Sequence, residues 1–168
     1  MSKAVHSDEP TAGDVESAFR VLSDESWAQR KQDALRDGSR VVRREEKADG
    51  GVLLVVSREL PAGVPGFLER FLPQDGRVTQ TDDWGPASGG SRSGTWKVEI
   101  PGAPAKLGGT MRLEPTPTGS RFVVDGTVEV KVPLVGGKAE GFIAGMVTKL
   151  AAKEAEVLRS ALTAGEPA

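Results

Sequence analysis

The chain has 168 residues, enough for one domain with a real core, and its 22 basic and 24 acidic side chains leave a net charge of −2. That balance supplies no general attraction to nucleic acid or anionic lipid. There is no cysteine and one histidine, His6, which excludes disulfides, thiolate metal sites and a histidine-built metal centre, and leaves His6 as the only base for a Ser-His-Asp triad.

Residues 3–8 fit a short first strand. Thr11 is placed to cap a helix, with Asp14 three residues on as the acid of a capping box, and Val15, Ala18, Phe19 and Leu22 then recur at helical spacing. Ser23-Asp24 interrupts that face and can cap a second helix carrying Trp27, Lys31, Ala34 and Leu35, for which Gly38 is a natural stop. Residues 40–47 and 52–60 read as a hairpin around Asp49-Gly50-Gly51. In the next segment Pro61, Gly63, Pro65 and Gly66 make a loop, followed by Phe67, Leu68, Phe71 and Leu72 at helical spacing.

Three further strands are predicted over 77–84, 94–100 and 106–114, separated by a Gly/Ser-rich turn and by Pro101-Gly102-Ala103-Pro104. The last strand, 122–132, alternates cleanly. Phe122, Val124, Gly126, Val128, Val130 and Val132 share one parity, and Val123 is the only apolar residue on the other. Clean alternation indicates an antiparallel sheet with one solvated face. After Pro133-Leu134-Val135-Gly136-Gly137 comes one long amphipathic helix, with Phe142, Ile143, Met146 and Leu150 on its apolar face and Lys149, Lys153, Glu156 and Arg159 opposite. Glu140 is expected in its first turn, where a carboxylate suits the helix dipole. This order defines an α+β fold in which a curved sheet grips the final helix.

Two stretches resemble a known family. The segment Val15-Glu16-Ser17-Ala18-Phe19-Arg20-Val21-Leu22-Ser23-Asp24, followed by Trp27, resembles the opening helices of the SRPBCC superfamily, the START-like helix-grip proteins. The run from Val130 through Pro133-Leu134-Val135-Gly136-Gly137 to Glu140 resembles their last-strand-to-helix junction. Asp82-Asp83-Trp84, Gly94-Thr95-Trp96 and Pro101-Gly102 resemble one bacterial branch known only as a domain of unknown function. The resemblance implies a helix-grip fold over residues 1–165: about seven antiparallel strands around the C-terminal helix, an apolar tunnel between them, and a frayed end at 166–168. Relatives bind or move lipids, quinones, sterols and polyketides, a few catalyse cyclisation, and some bind chaperones or ribosomes. The branch offers no catalytic residues to carry over, and fold alone does not assign function.

Trp84, Trp96, Phe122, Phe142, Ile143, Met146 and Leu150 are the candidate lining of a cavity; ordinary core packing is the competing reading of each. Phe67 and Phe71 are a candidate lid, or a patch covering the sheet edge. Arg58, Gln80 and Asp82 share parity with apolar neighbours and are candidate polar anchors, although Leu53 and Val55 make that strand apolar on both faces and leave outward placement open. The basic run Arg40, Arg43, Arg44 and Lys47 is interleaved with Glu45 and Glu46 and reads as a solvated strand face. Residues 1–10 lack the apolar core of a signal peptide, and no run is long enough to span a membrane, so a cytoplasmic location is expected. The expected function is carriage of an apolar small molecule or lipid without catalysis, cofactor or metal. A metal-free cyclase, aromatase or hydratase, or a protein-interaction module, are the alternatives.

Overall fold

A computed structural model describes residues 2–61 and 63–164; the end expected to fray, 166–168, lies outside the described residues. In chain order the elements are β1 (Lys3–Thr11), α1 (Val15–Ser23), α2 (Ser26–Leu35), β2 (Arg40–Glu46), β3 (Val52–Glu59), a 3-10 helix (Gly66–Phe71), β4 (Arg77–Trp84), β5 (Arg92–Glu99), β6 (Ala105–Thr116), β7 (Gly119–Val130) and α3 (Gly136–Thr163). The seven strands form one antiparallel sheet in the order β1-β7-β6-β5-β4-β3-β2. The expected helix-grip architecture is therefore present. Its 28-residue final helix is about 42 Å long at about 1.5 Å per residue and packs against β1 and β7, while α1 and α2 close the space beneath it.

The alternation of β7 sets the inner surface. Val128 and Val130 are buried in the core, and Phe122 and Val124 pack partly buried against it. Val123 points the other way yet is 1 % exposed. It pairs with Asp8 of β1 and Arg112 of β6, and six charged or ionisable side chains link up around it on that outer face. His6 meets Asp125, Asp125 meets Arg112, Arg112 meets Glu114, Glu114 meets Arg121, and Arg121 meets Asp8.

Sheet curvature depends on the absence of side chains along one row. Trp96 pairs with Gly109, which pairs with Gly126. The indole reaches across β6, and its Nε1 donates to the Asp125 carbonyl on β7 at 3.1 Å. A Cβ at Gly126 would stand 2.5 Å from the indole Cζ2, and one at Gly109 would stand 2.0 Å from the Asp125 carbonyl oxygen, so neither position accepts a side chain without rearrangement.

Arg92 ties α1 to the sheet. It forms a two-pronged pair with Glu16, both contacts at 2.9 Å, donates to the carbonyls of Gly50 and Gly85, and lies 3.7 Å from the Phe19 ring. Nothing in the periodicity of β5 marked this residue, because its partners come from α1 and two turns.

Several local expectations are corrected. Asp14, not Thr11, caps α1, its Oδ1 accepting from the Ser17 N–H at 2.8 Å; Thr11 instead closes β1, its hydroxyl donating to the Gly13 carbonyl at 2.9 Å. The first strand is longer than 3–8 because β1 pairs with β7 as far as Thr11 and Ser120. Arg36, at φ 54°, takes the left-handed position that ends α2, ahead of Gly38. Glu140 lies past the first turn of α3, which begins at Gly136; it is 3 % exposed and accepts the Val130 N–H at 2.9 Å, clamping α3 to the end of β7. The basic run keeps the expected character of a charged strand face, Arg43 pairing with Glu45 and Arg44 with Glu46, while Lys47 meets Asp83 of β4.

Candidate functional site

Two adjoining spaces, with Arg58 and Leu150 common to their linings, lie between the sheet and α3. The inner chamber is small, about 50 Å³. Trp84, Trp96, Val98, Met111, Phe122 and Val124 form its sheet side, Leu22 and Trp27 its α1 and α2 side, and Val147, Leu150 and Ala151 its α3 side. The outer cleft is large, about 1160 Å³, and runs between the C-terminal end of α2, the end of β3 and residues 141–156 of α3. Leu35, Leu60, Phe142, Met146 and Leu150 give it apolar walls, and Arg36, Glu59, Lys149, Lys153 and Glu156 rim it. Arg58 and Leu150 belong to both spaces and mark their junction.

The anticipated lining is thus split. Trp84, Trp96 and Phe122 surround the chamber, Phe142 and Met146 the cleft, and Leu150 both. Ile143 is the exception: at 7 % exposure it packs into the core and reaches neither space, because it lies one position round the helix from Phe142. Phe67 and Phe71 also line neither space. They pack against the core, with the Lys138 ammonium of α3 4.8 Å from the Phe67 ring and the Arg70 guanidinium 4.7 Å from the Phe71 ring. Arg58, Gln80 and Asp82 all face the chamber. Parity with Val56 on β3 and with Val78 and Trp84 on β4 decides this, and the apolar Leu53 and Val55 fall on the opposite, partly covered face.

The outer cleft owes its width to missing side chains. Gly141 and Gly145 line it, and a Cβ built at either would meet nothing within 4 Å. Glycine costs roughly 1 kcal/mol relative to alanine inside a helix, so a helix that keeps two of them facing open space trades stability for room. The four-residue spacing of Gly137, Gly141 and Gly145 is the sequence signal that could have revealed it. Lys31 and Glu154 were also missed as site residues, because they sit on two helices far apart in sequence.

Three ionisable side chains, Arg58, Asp82 and Glu154, line the chamber, and Lys31 stands behind it, paired with Glu154. Lys31 is 1 % exposed; its ammonium pairs with Glu154 Oε1 at 3.2 Å and lies 5.8 Å from the Trp27 ring centroid. Asp82 Oδ1 accepts from Gln80 Nε2 at 3.0 Å. Asp82 is half-buried in the chamber wall. Burial pushes the Asp82 carboxyl up to about 6; the Gln80 hydrogen bond and the charge of Lys31 oppose that rise, Glu154 reinforces it, and Arg58 opposes it more weakly. Arg58 is 7 % exposed, and neither its Nε nor the indole Nε1 of Trp84 has a partner among the described residues. No group of three or more His, Asp or Glu side chains among the described residues is arranged to hold a metal ion.

The raised Asp82 carboxyl has a consequence for stability. In the folded state it titrates at about 6, against an ordinary value of 3.8, so between those values the folded chain holds a proton that the unfolded chain releases. This group's contribution to stability is therefore greatest below about pH 4 and declines as the pH rises to about 6, by on the order of 2–3 kcal/mol. Asp82→Asn is expected to flatten that decline and to melt above wild type near neutral pH. Melting temperatures across the window would check it; parallel pH profiles for the two proteins would refute it.

The matches to known proteins follow the same outline. Residues 8–162 match the model of a family described as a protein of unknown function, DUF2505. An uncharacterised protein of Mycobacterium tuberculosis strain H37Rv is 30 % identical over 109 residues, covering 62 % of this chain and 63 % of that protein, so the match spans less than two thirds of the relative's length. A crystal structure of a Thermus thermophilus protein superposes with a TM-score of 0.65 at 15 % identity, covering 98 % of this chain and 100 % of that one. Norcoclaurine synthase from Thalictrum flavum, in complex with dopamine and hydroxybenzaldehyde, superposes with a TM-score of 0.63 at 16 % identity, covering 100 % of this chain and 90 % of that one. At such identities the two structures speak for the fold alone. With nearly its whole length matched, the chain belongs to the DUF2505 family, and the helix-grip outline it shares with these structures is the one built here from β1 to α3.

Proposed function

We propose that this protein binds an apolar small molecule in the cleft between its sheet and α3. The observation that carries the reading is the outer cleft of about 1160 Å³, walled by Leu35, Leu60, Phe142, Met146 and Leu150 and kept open by Gly141 and Gly145. Ligand sites are commonly about 300–1000 Å³, mostly apolar, with a few polar groups that fix orientation. The chamber of about 50 Å³ is too small for a whole ligand, so it receives one end of the molecule while the cleft holds the body.

Nile red, a neutral dye that brightens in apolar surroundings, tests this directly. Wild type is expected to enhance its fluorescence, and Gly141→Leu/Gly145→Leu to weaken binding at least about tenfold while melting no lower, since leucine favours the helix by roughly 0.8 kcal/mol per site over glycine. No enhancement by wild type, or an unchanged affinity in the double variant, would remove the reading.

An acid–base enzyme is the second reading. Asp82 supports it: a carboxyl brought close to neutrality, beside Lys31 and Arg58 at the chamber, has the character of a general acid or base. An interaction module has less behind it. The exposed large hydrophobic residues among those described are Val42 and Leu134, one on the edge strand β2 and one at the β7–α3 junction, which is far short of an apolar patch.

A further inference from the structure

We propose that the ligand is an acid, and that Arg58 reads its carboxylate at the junction of cleft and chamber. This rests on the cleft being the ligand site and adds the chemical class of its occupant.

Arg58 lies on β3 with its side chain turned inward, in register with Val78 of β4. It is 7 % exposed, and its side chain forms no ion pair or hydrogen bond with any described residue. A guanidinium cannot shed its proton to escape burial, so an unpaired one in an apolar wall is a standing cost that an acceptor removes. In the cleft, Glu59 pairs with Arg77, and Asp37, whose Oδ2 is buried without a partner among the described residues, lines the same wall as Arg58 but makes no hydrogen bond to it. Of the two acids that share the chamber, Glu154 is paired with Lys31 at 3.2 Å and Asp82 takes its hydrogen bond from Gln80 at 3.0 Å.

Size and geometry agree with a carboxylate. A chamber of about 50 Å³ accepts a head of a few atoms, since about 10–15 Å³ of such space holds one water. The forked donors of arginine match a carboxylate's two oxygens. The indole Nε1 of Trp84 is a second buried donor without a partner among the described residues, and Trp84 lines the same chamber. The apolar remainder of the acid then lies along Leu150, Met146 and Phe142 in the cleft.

The test is displacement of Nile red from the wild-type chain by two matched pairs: dodecanoic acid and its methyl ester, and 2-naphthoic acid and its methyl ester. The better-binding pair distinguishes a chain-like tail from a ring-like one. In that pair the acid is expected to displace the dye at a concentration at least about tenfold lower than the ester. Arg58→Met should bring acid and ester to parity, read as the ratio of their displacement midpoints within that variant, and Arg58→Lys should keep part of the preference. Acid and ester displacing equally from wild type would overturn the assignment while leaving the cleft as a binding site, as would a preference that survives Arg58→Met. Failure of the dye itself to bind would overturn both. The wild-type comparison does not depend on any variant folding.

Discussion

Trp84→Ala is expected to destabilise the fold by about 3–5 kcal/mol, the range for removing a large aromatic from a close-packed core. The indole is 1 % exposed, edge-on to Phe19 at a centroid separation of 5.7 Å and tilted over Phe122 at 6.2 Å. It joins α1, β4 and β7 at one point, so neighbours anchored on three elements cannot collapse together to fill the hole. Trp84→Phe should cost much less. It keeps most of the packing, and it deletes an indole N–H that has no partner among the described residues. Urea unfolding would measure both. A loss of under about 1 kcal/mol for the alanine variant would mean that Trp84 is not the packing centre described.

Glu154→Ala should have an effect of similar size from a different cause. It strands Lys31, 1 % exposed, as a buried ammonium without its partner, and breaking a buried pair from one side typically costs about 3–5 kcal/mol. The order of effects within the pair is informative. Lys31→Met leaves a carboxylate that is 15 % exposed and reaches water, so it should cost less than Glu154→Ala. Lys31→Met/Glu154→Leu should lie close to wild type, because two buried charges are exchanged for apolar volume. Chemical denaturation of the four proteins as a cycle would show this. Additive losses would mean that the two groups act separately and that the pair does not hold α2 to α3.

Much of this molecule is legible one element at a time. β7 and α3 each carry their own periodicity, two residues for the strand and between three and four for the helix, and the period reports which face is buried whatever the partner is. The stretch 77–84 was bounded correctly for the same reason, with turn-formers on either side. Errors gathered where one residue's role depends on another far away. Thr11 had the chemistry of a cap, but pairing with Ser120 drew it into β1, and the cap passed to Asp14. Glu140 had the chemistry of a dipole acid, but the N–H of Val130 needed an acceptor when α3 folded back on β7. Arg92 and Val123 gave no local sign of their burial, because the groups that cover them come from other strands and from α1.

The candidate site divides along the same line. Alternation along β3 and β4 was enough to nominate Arg58, Gln80 and Asp82, and helical spacing was enough to nominate Phe142, Met146 and Leu150. Neither could show that the first set meets in a chamber with Glu154, with Lys31 behind it, or that Ile143 turns into the core while Phe142 beside it turns into the cleft. Sequence by itself determined the elements and their buried faces, which follow from patterns within each segment, and the order of those elements pointed to the grip of sheet on helix. Only the tertiary structure decided which inward side chains meet across the fold, where the space between them opens, and that one buried cation, Arg58, is left without a partner among the described residues. Distances between segments and the burial they create are set by packing, and no single segment encodes them.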